Sequence, residues 1–283
     1  MTDSVIRCEN LWHTYPANKV VAVRNVNLEI KPQEIIGVIG QNGSGKTTLV
    51  KHFNGLLKPT QGAVFIKGKD TAPLRIQELA ADVGYVYQNP NHQLFARTVT
   101  AELEFGPRNL GLSEEEITER CEHAIEFFNL QPYRNNHPYR IGFPLRKLVG
   151  MASIFTMQPA IFILDEPTTG QDNITTRTVY KLIERLRDTG ATVICVSHDM
   201  ILLAEVVERM LVMRNSELIA DATPREVFSN YELMNSTHLT PPQITELSVR
   251  LRRDKNNLQD VKLSIDEMTD FTIATVKEKR GGE

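Results

Sequence analysis

The chain has 283 residues, of which 41% are hydrophobic and 24% are charged, the composition of a globular protein with a substantial buried core. Its 32 basic and 35 acidic residues leave a net charge of −3, which excludes nucleic-acid binding through a polybasic surface as the main activity. The three cysteines lack the spacing of metal ligands, and no apolar stretch approaches the roughly 18 residues of a membrane span, so we expect an intracellular protein without a membrane anchor of its own.

The first third of the chain is typical of short strands and turns. Residues 5–11 alternate weakly between polar and apolar side chains, and residues 22–30 alternate clearly, as a half-buried strand does. Residues 34–40 form an apolar run without alternation, which indicates a strand covered on both faces in a parallel sheet. A helix is predicted from about residue 46 to residue 57, and glycines bracket a further strand over residues 62–68.

The middle of the chain indicates a helical insert from about residue 91 to residue 158. Ser113 is a good N-cap, and Glu116 completes a capping box with it. Apolar residues then recur on one helical face, at Ile117, Cys121, Ala124, Ile125 and Phe128.

Two further buried strands follow the insert, over residues 161–164 and 191–196, with a helix predicted between them over residues 174–186. With the earlier strands they give the alternation of strand and helix that is typical of an α/β protein with a parallel sheet and right-handed crossovers. The tail from about Tyr231 is polar and weakly helical, and we expect its end, over residues 277–283, to be frayed.

Residues 40–47 fit the pattern G-x-x-x-x-G-K-[ST] in full and lie between a buried strand and a helix, as a phosphate-binding loop requires. Glycines let backbone N–H groups converge on an anion, and the helix N-terminus adds the positive end of its dipole. Lys46 would supply a charge for the β- and γ-phosphates of a nucleotide, and Thr47 a hydroxyl for Mg²⁺. The alternative is an accidental glycine-rich turn. The predicted nucleotide-binding residues of this loop are Gly40, Gln41, Asn42, Gly43, Ser44, Gly45, Lys46 and Thr47.

Asp165 and Glu166 follow a buried strand, so they should lie at the carboxyl edge of the sheet beside the phosphate loop. There Asp165 could hold Mg²⁺ through water, and Glu166 could polarise the attacking water or take its proton. Alternatively, both residues simply cap the turn before Pro167.

Two further side chains are predicted on the same face of the protein, and a third could contact the base of a nucleotide. His198 ends the next buried strand and is either a γ-phosphate contact or a satisfied histidine at a sheet edge. Gln88 would reach the same face, although an ordinary loop amide is an equal interpretation. Tyr15 could stack on a nucleotide base or be a core tyrosine.

On these motifs the chain resembles, over about residues 5–228, the nucleotide-binding subunit of an ABC transporter, which binds ATP and Mg²⁺. Residues 40–48 resemble the Walker A motif, which adds Thr48 to the nucleotide-binding set, residues 161–166 resemble Walker B, and residues 170–172 resemble the D-loop.

The resemblance also gives roles to the isolated side chains. Gln88 resembles the Q-loop glutamine, a nucleotide contact and Mg²⁺ ligand, His198 the H-loop histidine, and Tyr15 the aromatic residue that stacks on adenine. Catalysis would then fall to Glu166, His198 and Lys46. The fold implied is a P-loop NTPase (RecA-like) core with a parallel sheet, an antiparallel β subdomain, a helical subdomain and a short C-terminal extension.

A narrower resemblance rests on residues 87–95, 105–112 and 239–243, which are similar to the energy-coupling factor ATPases. Those proteins drive uptake of vitamins and transition-metal ions as peripheral subunits at the cytoplasmic face of the membrane. The partners implied are a second ATPase, a transmembrane coupling protein that the segment after Gln88 contacts, and a substrate-capture membrane protein. The domains implied are a nucleotide-binding domain over residues 1–230 and a C-terminal extension over residues 231–283 that helps join the two ATPases.

One segment departs from the family pattern. The signature motif Leu-Ser-Gly-Gly-Gln should precede Walker B, where residues 141–145 read Ile-Gly-Phe-Pro-Leu. Phe143 adds bulk where bare backbone should approach a phosphate, and Pro144 has no N–H to donate. The alternative is a divergent but working signature, to which Arg146 and Lys147 lend charge.

Because each ATP in such a pair is enclosed by the Walker A loop of one chain and the signature of the other, we expect a heterodimer with unequal sites. The partner would supply an intact signature to the site of this chain, whereas the site that faces residues 141–145 would turn over slowly. Two alternatives are a nucleotide-gated structural subunit with little hydrolysis of its own and the ATPase of a conventional ABC transporter. An ABC-type ATPase of DNA repair or translation is disfavoured, because such proteins usually carry two nucleotide domains or long insertions.

Overall fold

The computed structural model describes residues 4–17, 19–251 and 257–281. The strands of the described residues are β1 (Ile6–Tyr15), β2 (Val20–Ile30), β3 (Ile35–Gly40), β4 (Gln61–Ile66), β5 (Lys69–Asp70), β6 (Val83–Val86), β7 (Ile161–Asp165), β8 (Thr192–Val196), β9 (Arg209–Arg214) and β10 (Glu217–Ala222). The helices are α1 (Lys46–Phe53), α2 (Ile76–Ala80), α3 (Val99–Asn109), α4 (Glu114–Phe127), α5 (Phe143–Phe155), α6 (Asn173–Asp188), α7 (Met200–Val206), α8 (Pro224–Ser229), α9 (Tyr231–Ser236), α10 (Gln243–Leu251) and α11 (Ile265–Gly281). Within these ranges, no helix is both long and apolar enough to cross a bilayer.

A six-stranded sheet forms the centre of the molecule, with the strand order β10-β9-β3-β8-β7-β6. Strands β9, β3, β8, β7 and β6 are parallel, and β10 pairs with β9 in the antiparallel sense at one edge. Consecutive parallel strands are joined through helices, as right-handed crossovers require. The α/β class and the parallel core predicted from the sequence are therefore confirmed.

Apolar side chains cover this sheet on both faces. Along β3, Ile35 and Ile39 belong to a core formed with the helices α3 to α8, whereas Ile36 and Val38 belong to a core formed with α1 and the second sheet. A strand buried on both faces has no polar side to expose, which explains why β3 shows no alternation in sequence.

The second sheet has four antiparallel strands in the order β2-β1-β4-β5 and forms the predicted antiparallel β subdomain. Helices α3, α4 and α5 lie between β6 and β7, where the sequence predicts the helical insert. Ser113 caps α4 and forms the predicted capping box with Glu116.

The tail after β10 is more helical than its composition indicates. Helices α8 to α11 occupy most of it, and Arg225 of α8 donates hydrogen bonds to the Val261 carbonyl oxygen and to Glu267 of α11. Helix α11 continues to Gly281, through most of the stretch for which we predict a frayed end, and residues 282–283 lie outside the described residues. Helix α1 ends at Phe53, four residues before the predicted end, because Asn54 adopts a non-helical conformation.

A substitution of Phe162 in β7 tests how much the core on the helical side of the sheet contributes to stability. Its side chain is fully buried there, so we expect Phe162→Ala to lower the free energy of unfolding by about 3–5 kcal/mol. Urea denaturation followed by circular dichroism measures this change. Ile174→Ala is the matched control, because Ile174 is 78% exposed, and a loss of similar size in that variant would contradict the assignment of the core.

Candidate functional site

Four neighbouring strands of the central sheet end at the same edge and carry the predicted site residues. In the spatial order β3, β8, β7, β6, their carboxyl ends lead into the loop over residues 40–47, His198, Asp165 with Glu166, and Gln88. In parallel α/β sheets this edge is where ligands bind. The site is therefore assembled from four segments that are far apart in sequence.

The loop after β3 requires glycine at two positions of close backbone approach. Gly40 and Gly45 have positive φ angles of 148° and 102°, and a Cβ there would lie 2.2 Å from the Met213 carbonyl oxygen and 2.1 Å from the Ala22 carbonyl oxygen, respectively. At Gly43, by contrast, a Cβ would meet no atom within 4 Å, so this part of the loop faces open space. Helix α1 begins at Lys46, directly after Gly45, and points its positive end at the loop.

The polar groups of this loop fit a triphosphate. The Ser44 hydroxyl is buried and has no hydrogen-bond partner among the described residues. A buried hydroxyl without a partner at this position can donate a hydrogen bond to an anionic ligand. Lys46 is 6% exposed, and its Nζ donates to the carbonyl oxygens of Gly40 at 2.7 Å and Gln41 at 2.9 Å. Burial lowers the pKa of Lys46, opposed by the nearby carboxylates of Glu166 and Asp165. Lys46 can exchange these carbonyls for phosphate oxygens.

Asp165 and Thr47 provide oxygen ligands of the kind that Mg²⁺ prefers. Thr47 Oγ1 donates to Asp165 Oδ1 at 3.4 Å, and the Tyr85 hydroxyl donates to Asp165 Oδ2 at 2.7 Å. Burial raises the pKa of Asp165, and the hydrogen bonds from Tyr85 and Thr47 oppose that rise. The sequence analysis missed Tyr85, because a tyrosine within a buried strand is ordinarily core; only the pairing of Tyr85 with Ile163 in β6 and β7 reveals that it lies beside Asp165.

Glu166 is buried and makes contacts through both its side chain and its backbone. Its Oε2 accepts from the Thr169 hydroxyl at 3.1 Å and from the His198 backbone N–H at 3.3 Å, and its Oε1 lies 3.5 Å from His198 Nε2. Glu166 also has φ 51°, a left-handed conformation that is unfavourable for a residue with a side chain. The structure thus places Glu166 and His198 side by side.

Tyr15, at the end of β1, lies against the helix that follows the phosphate loop. Its hydroxyl is 3.2 Å from the Thr48 hydroxyl, and its ring contacts His13 edge-to-face with centroids 4.7 Å apart. Gln88, in contrast, is exposed two residues beyond β6, and no hydrogen bond in the described parts of the chain joins its side chain to Thr47 or Asp165.

The segment that departs from the signature motif forms the start of helix α5. Gly142 is the N-cap and provides no side-chain cap, and Pro144 lies in the first turn, where it contributes no N–H. Phe143 is 38% exposed, and its Cε1 would lie 3.0 Å from a Cβ at Gly170.

The two cations after this segment are both engaged within the chain. Arg146 donates to Asn91 Oδ1 at 2.8 Å and to the Ile141 carbonyl oxygen at 3.2 Å. Lys147 is fully buried, and its Nζ donates to the carbonyl oxygens of Glu166 and Thr169, the latter at 3.1 Å. Burial lowers the pKa of Lys147 to about 8, opposed by the nearby carboxylates of Glu166 and Asp165. Lys147 therefore points into the protein rather than toward a nucleotide held by another chain.

Comparison with known proteins identifies the family to which the chain is similar. The family described as ABC transporter matches residues 23–169. A putative ABC transporter ATP-binding protein of Caldanaerobacter subterraneus is 39% identical over 270 residues, which cover 95% of this chain but only 46% of that longer protein. The energy-coupling factor transporter ATP-binding protein EcfA of Methanothermobacter thermautotrophicus is 38% identical over 265 residues, covering 93% of this chain and 85% of that protein.

A solved structure is similar over nearly its whole length. The cbiO1 protein of Clostridium perfringens, part of the ABC transporter complex cbiONQ, superposes with a TM-score of 0.72 at 31% identity. The similarity covers 87% of this chain and 98% of that one.

Tyr85 offers a test of the proposed Mg²⁺ site. We expect Tyr85→Phe to weaken the apparent affinity for Mg²⁺ about tenfold, because the Asp165 carboxylate loses the hydrogen bond that orients it. Titration of ATP hydrolysis with Mg²⁺ measures this affinity. Tyr87→Phe is the matched control on the same segment, and equal Mg²⁺ affinities in Tyr85→Phe and the unmodified protein would contradict the role of Tyr85.

Proposed function

This chain belongs to the ABC transporter family as an ATP-hydrolysing subunit of the energy-coupling factor type, and from that premise we propose that it drives uptake of a vitamin or a transition-metal ion through membrane partners. The observation that carries the proposal is the convergence of the phosphate loop, Asp165, Glu166 and His198 at one sheet edge. We further propose that residues 1–230 form the nucleotide-binding domain and that the chain works at the cytoplasmic face of the membrane.

The proposed roles combine the contacts of the side chains with the resemblance to the family. Lys46 and the backbone N–H groups of residues 40–48 hold the phosphates of ATP, and Tyr15 stacks on adenine. Glu166 takes a proton from the attacking water, and His198, 3.5 Å from it, contacts the γ-phosphate. Catalysis of this kind rests on positioning and on charge stabilisation of the transferred phosphoryl group.

Mg²⁺ fits the donor set at the end of β7. Thr47 and Asp165 would hold it, and Gln88 would join them by a movement of the loop that follows β6. When bound, Mg²⁺ would supply positive charge that stabilises the negative charge of the phosphates. The buried Tyr85 keeps the Asp165 carboxylate oriented for this role.

We propose that the chain works with a second, different ATPase. The exposed Phe143 and the proline in the first turn of α5 make this helix start a poor grip for a phosphate of the partner's ATP. The engagement of Arg146 and Lys147 within the chain also weighs against the alternative of a working signature. The partner therefore supplies an intact signature to this chain's site, and the helices of residues 231–283 contribute to the contact between the two ATPases.

A cavity of about 730 Å³ lies between β6, α2, α3 and α5, and we propose that the transmembrane coupling protein binds there. Phe95 and Phe105, 60% and 49% exposed, meet edge-to-face at its rim with ring centroids 4.6 Å apart. Glu102 lines the cavity, and its Oε2 accepts from the backbone N–H groups of Phe95 and Ala96. The apolar walls favour a partner segment that presents apolar side chains. A substrate-capture membrane protein would complete the assembly and select the cargo.

The unequal sites can be tested in the complex of this chain with the ATPase that purifies with it. We expect Glu166→Gln to lower hydrolysis at least about 100-fold while ATP binding is retained, because only the proton acceptor is lost. The equivalent change in the second ATPase should have a much smaller effect, because its site faces residues 141–145. Turnover assays and binding of a fluorescent ATP analogue measure both quantities.

Glu115→Gln on the exposed face of α4 is the control for this experiment. Full activity of the homodimer would contradict the proposed heterodimer. Undiminished hydrolysis with Glu166→Gln would instead favour a nucleotide-gated structural subunit, whose own site hydrolyses little.

The cavity proposal predicts the behaviour of a second variant. Phe105→Asp should reduce recovery of the membrane subunits at least about tenfold while hydrolysis by the ATPase pair in detergent-free solution is retained, because a buried unpaired charge opposes docking. Affinity purification from membranes followed by quantitative mass spectrometry measures the recovery. Ile201→Asp is the control, because Ile201 is 58% exposed but does not line the cavity, and equal recovery of both variants would contradict the proposal.

A further inference from the structure

Lys147 lies in an environment that ordinarily excludes a lysine. Its side chain is fully buried, and none of the ion pairs among the described residues includes it. Burying an ammonium group costs several kcal/mol unless opposite charges and hydrogen bonds compensate it. The compensation here comes from two backbone carbonyl oxygens and from the nearby carboxylates of Glu166 and Asp165. An apolar side chain would fill this volume at a lower cost in free energy. The presence of an ammonium group therefore indicates that it has a function.

The carbonyl groups that Lys147 holds flank the predicted catalytic carboxylate. The Glu166 carbonyl oxygen accepts from Lys147 Nζ and from the Thr169 N–H at 3.3 Å, while the Glu166 N–H donates to the Val196 carbonyl oxygen at 2.8 Å. These bonds hold Glu166 in its left-handed conformation, which is unfavourable for a residue with a side chain.

A second link runs from Lys147 to the Glu166 side chain. Lys147 Nζ also donates to the Thr169 carbonyl oxygen, and the Thr169 hydroxyl donates to Glu166 Oε2 at 3.1 Å. Lys147 therefore holds both the backbone of Glu166 and the residue that orients its carboxylate.

Phe143 supports the same loop from one helical turn earlier. Residues four apart lie on one face of a helix, and Phe143 contacts Gly170 as Lys147 contacts Glu166 and Thr169. The first turns of α5 thus cover the loop over residues 166–170.

We propose that Lys147 is a positioning residue for ATP hydrolysis, which holds Glu166 and Thr169 so that the Glu166 carboxylate faces the attacking water. The proposal rests on the catalytic role proposed for Glu166. It also assigns a role to the residues that depart from the signature pattern, because this side of α5 supports the chain's own catalytic site. Because misplacement of a reacting group by about 1 Å can cost 10²-fold in rate, loss of these two hydrogen bonds should lower kcat without affecting ATP binding.

The test compares Lys147→Met with Lys147→Gln in the complex with the second ATPase. The two side chains have the same length, but only glutamine carries N–H donors for the carbonyl oxygens. We expect Lys147→Met to lower kcat about 10- to 100-fold with the KM for ATP within about twofold of the unmodified complex, and Lys147→Gln to recover most of the loss. Steady-state hydrolysis and thermal unfolding are measured on both variants.

Lys147→Met with an unchanged kcat would overturn the proposal, as would equal losses of kcat in Lys147→Met and Lys147→Gln. If Lys147→Met does not fold, Thr169→Val decides, because it removes the hydroxyl that orients Glu166 but leaves the buried lysine; a kcat equal to that of the unmodified complex would then overturn the proposal. Glu166→Gln is measured in parallel. If it abolishes hydrolysis while Lys147→Met does not, only the positioning role fails, whereas undiminished hydrolysis with Glu166→Gln overturns the catalytic role and the positioning role together.

Discussion

Two carboxylates buried at the end of one strand are the constraint on which the rest of the site depends. Asp165 and Glu166 are 2% and 6% exposed, and a buried carboxylate is costly unless hydrogen bonds or opposite charges compensate it. The compensating groups are Thr47, Tyr85, Thr169, His198 and the two lysines Lys46 and Lys147. Because these groups come from separate strands, helices and loops, the site exists only when the sheet is assembled, and any movement of one element changes the environment of the carboxylates.

The inner side and the exposed N-terminus of helix α5 differ in what they can support. Lys147, on the inner side, holds the loop that carries Glu166. The exposed N-terminus lacks the serine, the bare backbone and one N–H that a phosphate of a second chain would require. These two properties support the proposal that the chain works in a heteromeric pair with unequal sites. In that proposal the partner carries the intact signature.

The catalytic edge and the cavity proposed for the membrane partner share one strand. Tyr85 of β6 lines the cavity and also donates a hydrogen bond to Asp165, so an occupant of the cavity would contact the residue that orients a predicted Mg²⁺ ligand. Glu102 stabilises the same region by accepting from the backbone of Phe95 and Ala96. If the proposed partner docks in the cavity, tight packing around Tyr85 would connect its binding with the predicted Mg²⁺ ligand.

The sequence by itself determined the α/β class, the phosphate loop and the order of the polar groups at strand ends, because glycine spacing and apolar runs are local signals. It also predicted a weak signature, because a proline without an N–H and a phenylalanine are recognised from the identity of single residues. Only the tertiary structure decided which distant residues meet. In sequence, Tyr85 is one residue of a buried strand and Lys147 is a charge next to the signature segment. Their contacts with Asp165 and Glu166 arise from strand pairing and helix packing across 80 and 19 residues of chain. Hydrogen bonds between such separated groups leave no periodic pattern, because they depend on how elements pack rather than on which elements form.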